Sequence, residues 1–436
     1  MFILLYICIF VLYFHKLYAF VPSISLNSRL VRTTPHKNIK MHLIMNSKEN
    51  FNNNMHFMKS KLSIRLKSRL NSSITTSINE YESKSNNNSN IFPQIIANIS
   101  SFINSLWKFT RPHTIIGSIV SIVSLFLYAS PIEKINTSLF YKSLFESMIP
   151  ATLMNVYITG LNQITDVDID KINKPYLPLA SGEMSMSTGI SVILISLLIS
   201  SYLGTKSCSW PLQLTLLGSA FLGTIYSLPP FRLKRFPLLA ALCILLVRGS
   251  LVNMGFLLQA RMRLDDVPLS SNIITACTSQ VDALLVTAFF AFFGVVIALM
   301  KDIPDVKGDK MNNISSFSVK VGPSRMFSIA WKMLAALLNI SGIATLINTL
   351  SNINVNSLNN LNIMNMSSIS SSISSSSSSM RIIGQLIASI SLLALGNDVT
   401  TQAKKVNADA SGAVFQYYMR IWNIFYACYL IIPLTR

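Results

Sequence analysis

The sequence predicts an all-α, polytopic membrane protein with about nine transmembrane helices around a central cavity and two Asp-rich motifs at helix ends. Of its 436 residues, 51% are hydrophobic and only 12% are charged, which is about half the charged fraction of a soluble domain. From Trp107 onward, apolar stretches recur that approach the ~20 residues a helix needs to cross a bilayer. Two aspartate clusters follow such stretches and together hold six of the seventeen acidic residues.

The N-terminal part of the chain has the composition of a targeting segment. Residues 1–19 form a short apolar run that ends in Tyr18-Ala19, which predicts a signal peptide. Residues 20–104 are rich in Ser, Asn, Lys and Arg and poor in acids, which predicts a transit peptide and a disordered linker. The Ala19-Phe20 junction resembles the bipartite presequences of algae with secondary plastids, so we expect the inner envelope or thylakoid membrane of a plastid. A plain secretory signal and an uncleaved anchor are the alternatives.

A membrane domain is predicted over residues 105–436. Its apolar segments are expected at Ile115–Tyr128, Phe145–Leu161, Ile190–Leu203, Leu212–Tyr226, Leu238–Leu258, Leu284–Met300, Phe327–Ile347, Ile382–Leu395 and Tyr417–Leu434. Residues 351–379 are dominated by Asn and Ser, with a few apolar residues. Because such a segment buries too little apolar surface to fold, we predict a disordered insertion there.

Three polar stretches are predicted to lie on the same face of the membrane. The first acidic cluster, Asn162–Asp170, follows the second apolar segment, and the second cluster, Asp302–Asp309, follows the sixth. The basic stretch Tyr226–Arg235 follows the fourth. Because all three follow even-numbered segments, they share a side; otherwise ~30 Å of bilayer would separate them. The loops on that side carry more Lys and Arg than the opposite loops, which indicates the cytosolic or stromal side.

Each acidic cluster has the spacing of residues on one helix face. Asn162, Asp166 and Asp170 stand at i, i+4 and i+8. The second cluster has the spacing i, i+3 and i+7: Asp302, Asp305 and Asp309. Like charges stacked in this way repel unless a cation lies between them, and Mg²⁺ prefers oxygen ligands and phosphate. The two clusters therefore predict a magnesium site for a diphosphate, with Asp168 pointing away from the shared face.

Other interpretations of the acidic clusters belong to other protein classes. Each cluster alone is compatible with a solvated loop, and both together are compatible with an intramembrane cation transporter. Transporter acids usually lie in the middle of broken helices, whereas these acids lie at helix ends beside lysines. The net charge of +19 is not accompanied by an aromatic and basic motif, so nucleic acid is not expected as a partner.

Four stretches of the chain resemble the UbiA superfamily of intramembrane aromatic prenyltransferases. They are Trp107–Gly117, Gly160–Glu183, Lys301–Lys310 and Ser316–Gly322. Within the superfamily they are similar to the homogentisate prenyltransferases of plastids and cyanobacteria, and the likeness extends over roughly residues 105–436. The run Leu-Ala-Ser-Gly-Glu ending at Glu183 is closer to the phytyltransferases of tocopherol synthesis than to the solanesyltransferases of plastoquinone synthesis.

The resemblance implies a reaction and a set of site residues. It implies transfer of a phytyl or geranylgeranyl group from its diphosphate to homogentisate with decarboxylation; solanesyl transfer is the first alternative and prenylation of a chlorophyllide the second. Mg²⁺ and the diphosphate would be held by Asn162, Asp166, Asp170, Asp302, Asp305 and Asp309. The substrates would be contacted by Arg111, Lys174, Tyr226, Arg232, Lys234 and Lys301. His113 is equally compatible with a structural and a catalytic role. The expected partners are the prenyl diphosphate, homogentisate and the lipid bilayer.

Overall fold

A computed structural model describes residues 96–207, 209–265, 273–311, 316–362 and 370–436, with backbone only over 354–378. Residues 101–436 form one compact unit. Helices and turns make up all of the described ranges, and no strand occurs in them, which confirms the all-α class. The predicted signal peptide and almost all of the predicted transit peptide lie outside the described residues.

The described part of the domain contains nine long helices that coincide with the predicted apolar segments, together with shorter helices between them. Their bounds are α1 Pro112–Ala129, α2 Ser138–Thr165, α3 Met186–Lys206, α4 Trp210–Ser227, α5 Pro237–Leu264, α6 Val281–Met311, α7 Pro323–Asn362, α8 Ser370–Ala403 and α9 Ser411–Ile431. The last segment continues beyond α9 into the 3₁₀ turn Ile432–Thr435.

Six of these helices are long and apolar enough to cross a membrane: α1, α3, α5, α6, α7 and α8. The helices α2, α4 and α9 do not meet the same standard of length and composition among the described residues. A count of nine crossings therefore stays a prediction. The disordered insertion also stays a prediction, because residues 363–369 lie outside the description and helical backbone enters the segment from both sides.

The loop that carries the first acidic cluster is fixed by local sequence signals. The Thr137 side chain caps α2 by accepting a hydrogen bond from the Phe140 N–H at 3.2 Å. At the other end of α2, the chain passes directly into the short helix Val167–Asn173. Beyond that helix, Gly182 has a φ of 82°, a left-handed conformation suited to glycine, and ends the turn Pro178–Ser181 before α3 begins. Asp166, Asp168 and Asp170 thus lie between the end of α2 at Thr165 and the turn that ends at Gly182.

The helices α1, α5, α6 and α9 form the interior of the bundle. Helix α1 packs against α2, α5 and α9, while α6 packs against α5, α7 and α9. Aromatic rings fill the α6–α9 contact: Phe290 stacks on Tyr429 with centroids 3.6 Å apart, and Phe293 meets Phe425 at 5.2 Å. Edge-to-face contacts such as that of Phe293 with Phe425 add to the free energy gained by burying the rings. By contrast, α3 exposes large apolar side chains such as Leu198, which fits a lipid-facing surface.

A glycine marks the closest approach of α5 to α6. Residues Leu245–Leu251 of α5 form a π-helical turn, and a Cβ added to Gly249 would lie 2.5 Å from the Ala291 Cα of α6. We expect Gly249→Ala to lower the free energy of unfolding by about 1–3 kcal/mol, because the two backbones must separate. Thermal unfolding in detergent measures this effect.

The matched control is Gly294→Ala in α6. A Cβ at Gly294 meets no atom within 4 Å, and alanine favours the helical backbone by about 1 kcal/mol over glycine. We expect this variant to unfold at or above the temperature of the unchanged protein. Equal losses in the two variants would contradict the close packing at Gly249.

Candidate active site

Asp166 is held by cations from a distant part of the chain. It lies at the junction of α2 and the helix Val167–Asn173. Its Oδ1 accepts hydrogen bonds from Arg232 Nη2 at 3.1 Å and from Lys234 Nζ at 2.5 Å. Its Oδ2 accepts a hydrogen bond from Asn162 Nδ2 at 3.2 Å, one turn back on α2. The structure thus brings together four of the residues that the sequence predicts for the site.

The basic segment after α4 folds back onto the end of α2. Arg232 has a φ of 38°, and its Nη2 also donates to the Thr165 carbonyl at 3.2 Å. Lys234 Nζ lies 3.1 Å from Thr165 Oγ1. Burial lowers the pKa of Lys234 to about 8, and the Asp166 carboxylate acts in the opposite direction. The charge of this lysine therefore depends on having an anion beside it.

Asp170 is a buried carboxylate, and one of its oxygens makes no hydrogen bond among the described residues. Only 4% of the residue is exposed. Arg111 Nη2 lies 3.9 Å from its Oδ2, and Lys174 Nζ lies 4.0 Å from its Oδ1. Burial raises the pKa of Asp170, and the two cations oppose that shift. Within the described part of the chain its Oδ2 makes no hydrogen bond, so this oxygen is suited to receive a further ligand.

Lys174 and Asn173 join the two acidic clusters. Lys174 Nζ forms an ion pair with Asp305 Oδ2 on α6, while the same ammonium faces Asp170. Asn173 Nδ2 donates to the Asp305 carbonyl at 3.1 Å, and Asn173 Oδ1 accepts from the Gly308 N–H at 2.9 Å. The two clusters therefore lie side by side, as the parity of the helices predicts. The sequence analysis did not name Asn173 as a site residue. Its position three residues after Asp170, about one helical turn away, is the feature of the sequence that could have indicated it.

The remaining predicted residues lie around this centre without direct contact to the first cluster. Asp309 is buried and Asp302 is partly buried on α6. Lys301 Nζ lies 6.0 Å from the centroid of the Tyr226 ring. Among the described residues, no three His, Cys, Asp or Glu side chains stand close enough to hold a metal ion. In this structure Asp166, Asp170 and Asp305 are instead paired with lysine or arginine.

Two further side chains can be placed. Asp168 is exposed and pairs with Lys171 at 2.9 Å, in keeping with its predicted orientation away from the cluster. The His113 ring meets Trp422 of α9 edge-on at 5.1 Å, and the His113 carbonyl accepts a hydrogen bond from the Tyr426 hydroxyl at 2.6 Å. His113 therefore fastens the start of α1 to α9.

Comparison with known proteins identifies the family. The UbiA prenyltransferase family model matches residues 118–355. Homogentisate phytyltransferase 1, chloroplastic, of Arabidopsis thaliana is 37% identical over 77% of this chain and 76% of that protein. Homogentisate geranylgeranyltransferase of Hordeum vulgare is 36% identical over 81% and 78% of the two chains. A UbiA homolog from Archaeoglobus fulgidus, solved bound to GPP and Mg²⁺, has a TM-score of 0.49 and 15% identity over 76% of this chain and 99% of its own. The chain belongs to the UbiA prenyltransferase family.

Proposed function

We propose that this protein transfers a phytyl or geranylgeranyl group from its diphosphate to homogentisate, with loss of the carboxylate of homogentisate as CO₂. The relatives from Arabidopsis and barley carry this activity in their names, and each is matched over most of its length. The observation that carries the proposal is the bridge made by Lys174 between Asp170 and Asp305, since it joins both acidic clusters in one site. A plastid membrane is the proposed location, with the secondary plastid still a prediction.

The cations of the site are suited to a diphosphate leaving group. Lys174, Arg232 and Lys234 each contact a carboxylate in the structure. When an anionic diphosphate enters, the same three cations can turn to its oxygens and stabilise the negative charge that develops as the bond to the prenyl carbon breaks. Arg111, already facing Asp170, can contribute from the start of α1. Lys301 and Tyr226, which face each other, would complete the far side of the diphosphate site.

The acidic residues fit Mg²⁺ as the metal that accompanies the diphosphate. All six predicted ligands offer oxygen atoms, and Asp170 Oδ2 is buried without a hydrogen bond among the described residues. Mg²⁺ usually takes one or two carboxylates and fills its other positions with water and phosphate, so three converging side chains are not required. The residues that would hold it are Asn162, Asp166, Asp170, Asp302, Asp305 and Asp309. When bound, Mg²⁺ neutralises charge on the diphosphate and makes it a better leaving group.

The rest of the reaction depends on position and on the exclusion of water. Departure of the diphosphate leaves an allylic cation, which the electron-rich ring of the acceptor attacks. The attacked ring carbon then loses its proton, and the acetate arm loses CO₂ and takes up a proton to become a methyl group. A helix bundle in lipid keeps water away from that cation and so protects it from hydrolysis. Holding ring and cation in contact supplies a further part of the rate. Solanesyl transfer uses the same chemistry with a longer tail, and chlorophyllide prenylation a different acceptor; both stay as alternatives. Family membership removes the support for a cation transporter.

A direct assay tests the proposed function. Membranes containing the protein are given homogentisate and Mg²⁺ with phytyl, geranylgeranyl or solanesyl diphosphate, and the products are identified by mass. We expect decarboxylated prenyl quinols from phytyl or geranylgeranyl diphosphate, no product after chelation with EDTA, and recovery when Mg²⁺ is restored. Absence of a homogentisate product with every diphosphate would overturn the proposal, and activity that survives EDTA would overturn the metal assignment.

A further inference from the structure

Arg248 is a half-buried charged residue on an apolar helix of the bundle, outside the site described above. It lies near the middle of the 28-residue helix α5, within its π-helical turn Leu245–Leu251. Its guanidinium carbon stands 4.8 Å from the ring centroid of Trp422 on α9. Because Trp422 is only 2% exposed, the arginine points toward protein rather than lipid. Charged residues at such depth are rare and usually mark a functional site.

No carboxylate balances this charge in the described ranges. None lies within 4.0 Å of the guanidinium, whereas Arg261, Arg263 and Arg420 each pair with an acid. The ionisable neighbours of Arg248 are instead His113 and the hydroxyl groups of tyrosines 418, 426 and 429. Cation–π contact with one indole is far weaker than the solvation that an interior guanidinium loses. An anionic ligand is the group that would compensate for this loss.

The backbone around Arg248 is held in place by Asn253 of α5, which is itself fixed by Tyr429 of α9. Asn253 Nδ2 donates to the Arg248 carbonyl at 2.9 Å and to the Gly249 carbonyl at 2.7 Å. Asn253 Oδ1 in turn accepts from the Tyr429 hydroxyl at 2.7 Å. The π-helical turn is thus supported by side-chain hydrogen bonds, and turns of this type occur frequently at functional sites. This support fixes the position from which the guanidinium extends.

The arginine is connected to the carboxylate and lysine site through Trp422 and α1. Trp422 contacts α1 at His113, and its ring would lie 3.1 Å from a Cβ at Gly117. Arg111, which faces Asp170, precedes Gly117 by six residues, about 9 Å along a helix. A small aromatic molecule bound at Arg248 could therefore place its ring against a prenyl chain whose diphosphate is held at Asp170.

We propose that Arg248 binds the carboxylate of the aromatic acceptor and thereby selects an aromatic acid. A guanidinium matches a carboxylate with two parallel hydrogen bonds, and the aromatic side chains around Arg248, with Trp422 among them, are suited to pack against the ring of the same molecule. The inference rests on the proposed function, because homogentisate is an aromatic ring with a carboxylate arm. In the sequence, this acceptor site is indicated by a single arginine within a long apolar stretch.

The inference is tested by comparing two acceptors in the unchanged protein and in Arg248→Gln. Homogentisate is compared with a hydroquinone that carries a methyl group in place of the acetate arm, using the same prenyl diphosphate. For Arg248→Gln we expect the KM for homogentisate to rise by at least about 30-fold, the usual cost of removing one partner of a buried charged pair. The KM for the prenyl diphosphate and the turnover of the methyl hydroquinone should stay unchanged. Arg248→Lys should recover part of the preference, because the charge remains.

Arg420→Gln is the control, since Arg420 lies on α9 two residues before Trp422 but pairs with Asp398 at 2.6 Å. Its acceptor preference should match that of the unchanged protein. Equal losses with both acceptors in Arg248→Gln would assign Arg248 a structural role, and a raised KM for the diphosphate would assign it to the other substrate. Either result overturns the inference.

The unchanged protein offers a second test that needs no variant. It should strongly prefer homogentisate over both the methyl hydroquinone and the amide of homogentisate, which keeps the shape but lacks the charge. Homogentisate alone should also change tryptophan fluorescence, because pairing with its carboxylate would alter the contact of the Arg248 guanidinium with the Trp422 ring. If the protein prenylates homogentisate but does not prefer it over the two uncharged acceptors, the role of Arg248 is wrong and the proposed function still holds. A protein that does not prenylate homogentisate contradicts the proposed function.

Discussion

We expect Asp170→Asn to lower the rate of prenyl transfer by a factor of about 10²–10³. This is the range seen when one group that stabilises transition-state charge is lost. Asparagine has the shape of aspartate but lacks the charge that would hold Mg²⁺ and position the diphosphate. The folded state should not suffer, because burial raises the pKa of Asp170 and its ionised form therefore weakens folding at neutral pH. We expect the unfolding temperature in detergent to stay level or rise while activity is lost.

Asp168→Asn is the matched control for this experiment. It changes the same residue type two positions earlier in the same short helix, but Asp168 is exposed and pairs only with Lys171 among the described residues. Transfer rates in this variant should equal those of the unchanged protein, since a surface pair of this kind contributes little. Comparable losses at positions 168 and 170 would mean that the acidic segment acts through its total charge, and the proposed ligand set would then be wrong.

Much of this site could be predicted from sequence because its signals are local. Helical spacing places Asn162 and Asp166 on adjacent turns, and their side chains are hydrogen-bonded in the structure. Counting apolar segments predicts that Asp170 and Asp305 lie on the same face of the membrane. In the structure Asp305 lies within α6 itself, and Lys174 pairs with both residues. Both predictions rest on the period of the helix and on the thickness of a bilayer, which are the same for every helical membrane protein.

Other features depend on contacts between distant parts of the chain and could not be read from spacing. The sequence shows that Arg232 and Lys234 follow α4, but not that both turn toward Asp166 rather than toward solvent. The bridge from Asn173 to Asp305 likewise requires the approach of α6 to the first acidic loop. Arg248 was visible as a charge in an apolar stretch, but its aromatic partner comes from α9 and appears only in the fold.

Lys174→Met is expected to damage both stability and activity, and the two effects can be separated. Lys174 is the cation that faces buried Asp170 and Asp305 together. Removing one partner of such a cluster costs about 3–5 kcal/mol, because the remaining carboxylates stay buried without a counter-charge. We expect a clear fall in the unfolding temperature and loss of prenyl transfer. Lys171→Met, which removes an exposed lysine from the same helix, should change neither.

The double variant Lys174→Met with Asp305→Asn separates structure from catalysis. When both partners of a buried pair are replaced by neutral groups of similar size, most of the lost stability returns. A purely structural ion pair would then give back activity along with the unfolding temperature. If Lys174 and Asp305 act on the diphosphate and its metal, the double variant folds as well as the unchanged protein and still transfers no prenyl group. Recovery of transfer in the double variant would show that the bridge between the two acidic clusters holds the helices together but takes no part in the reaction.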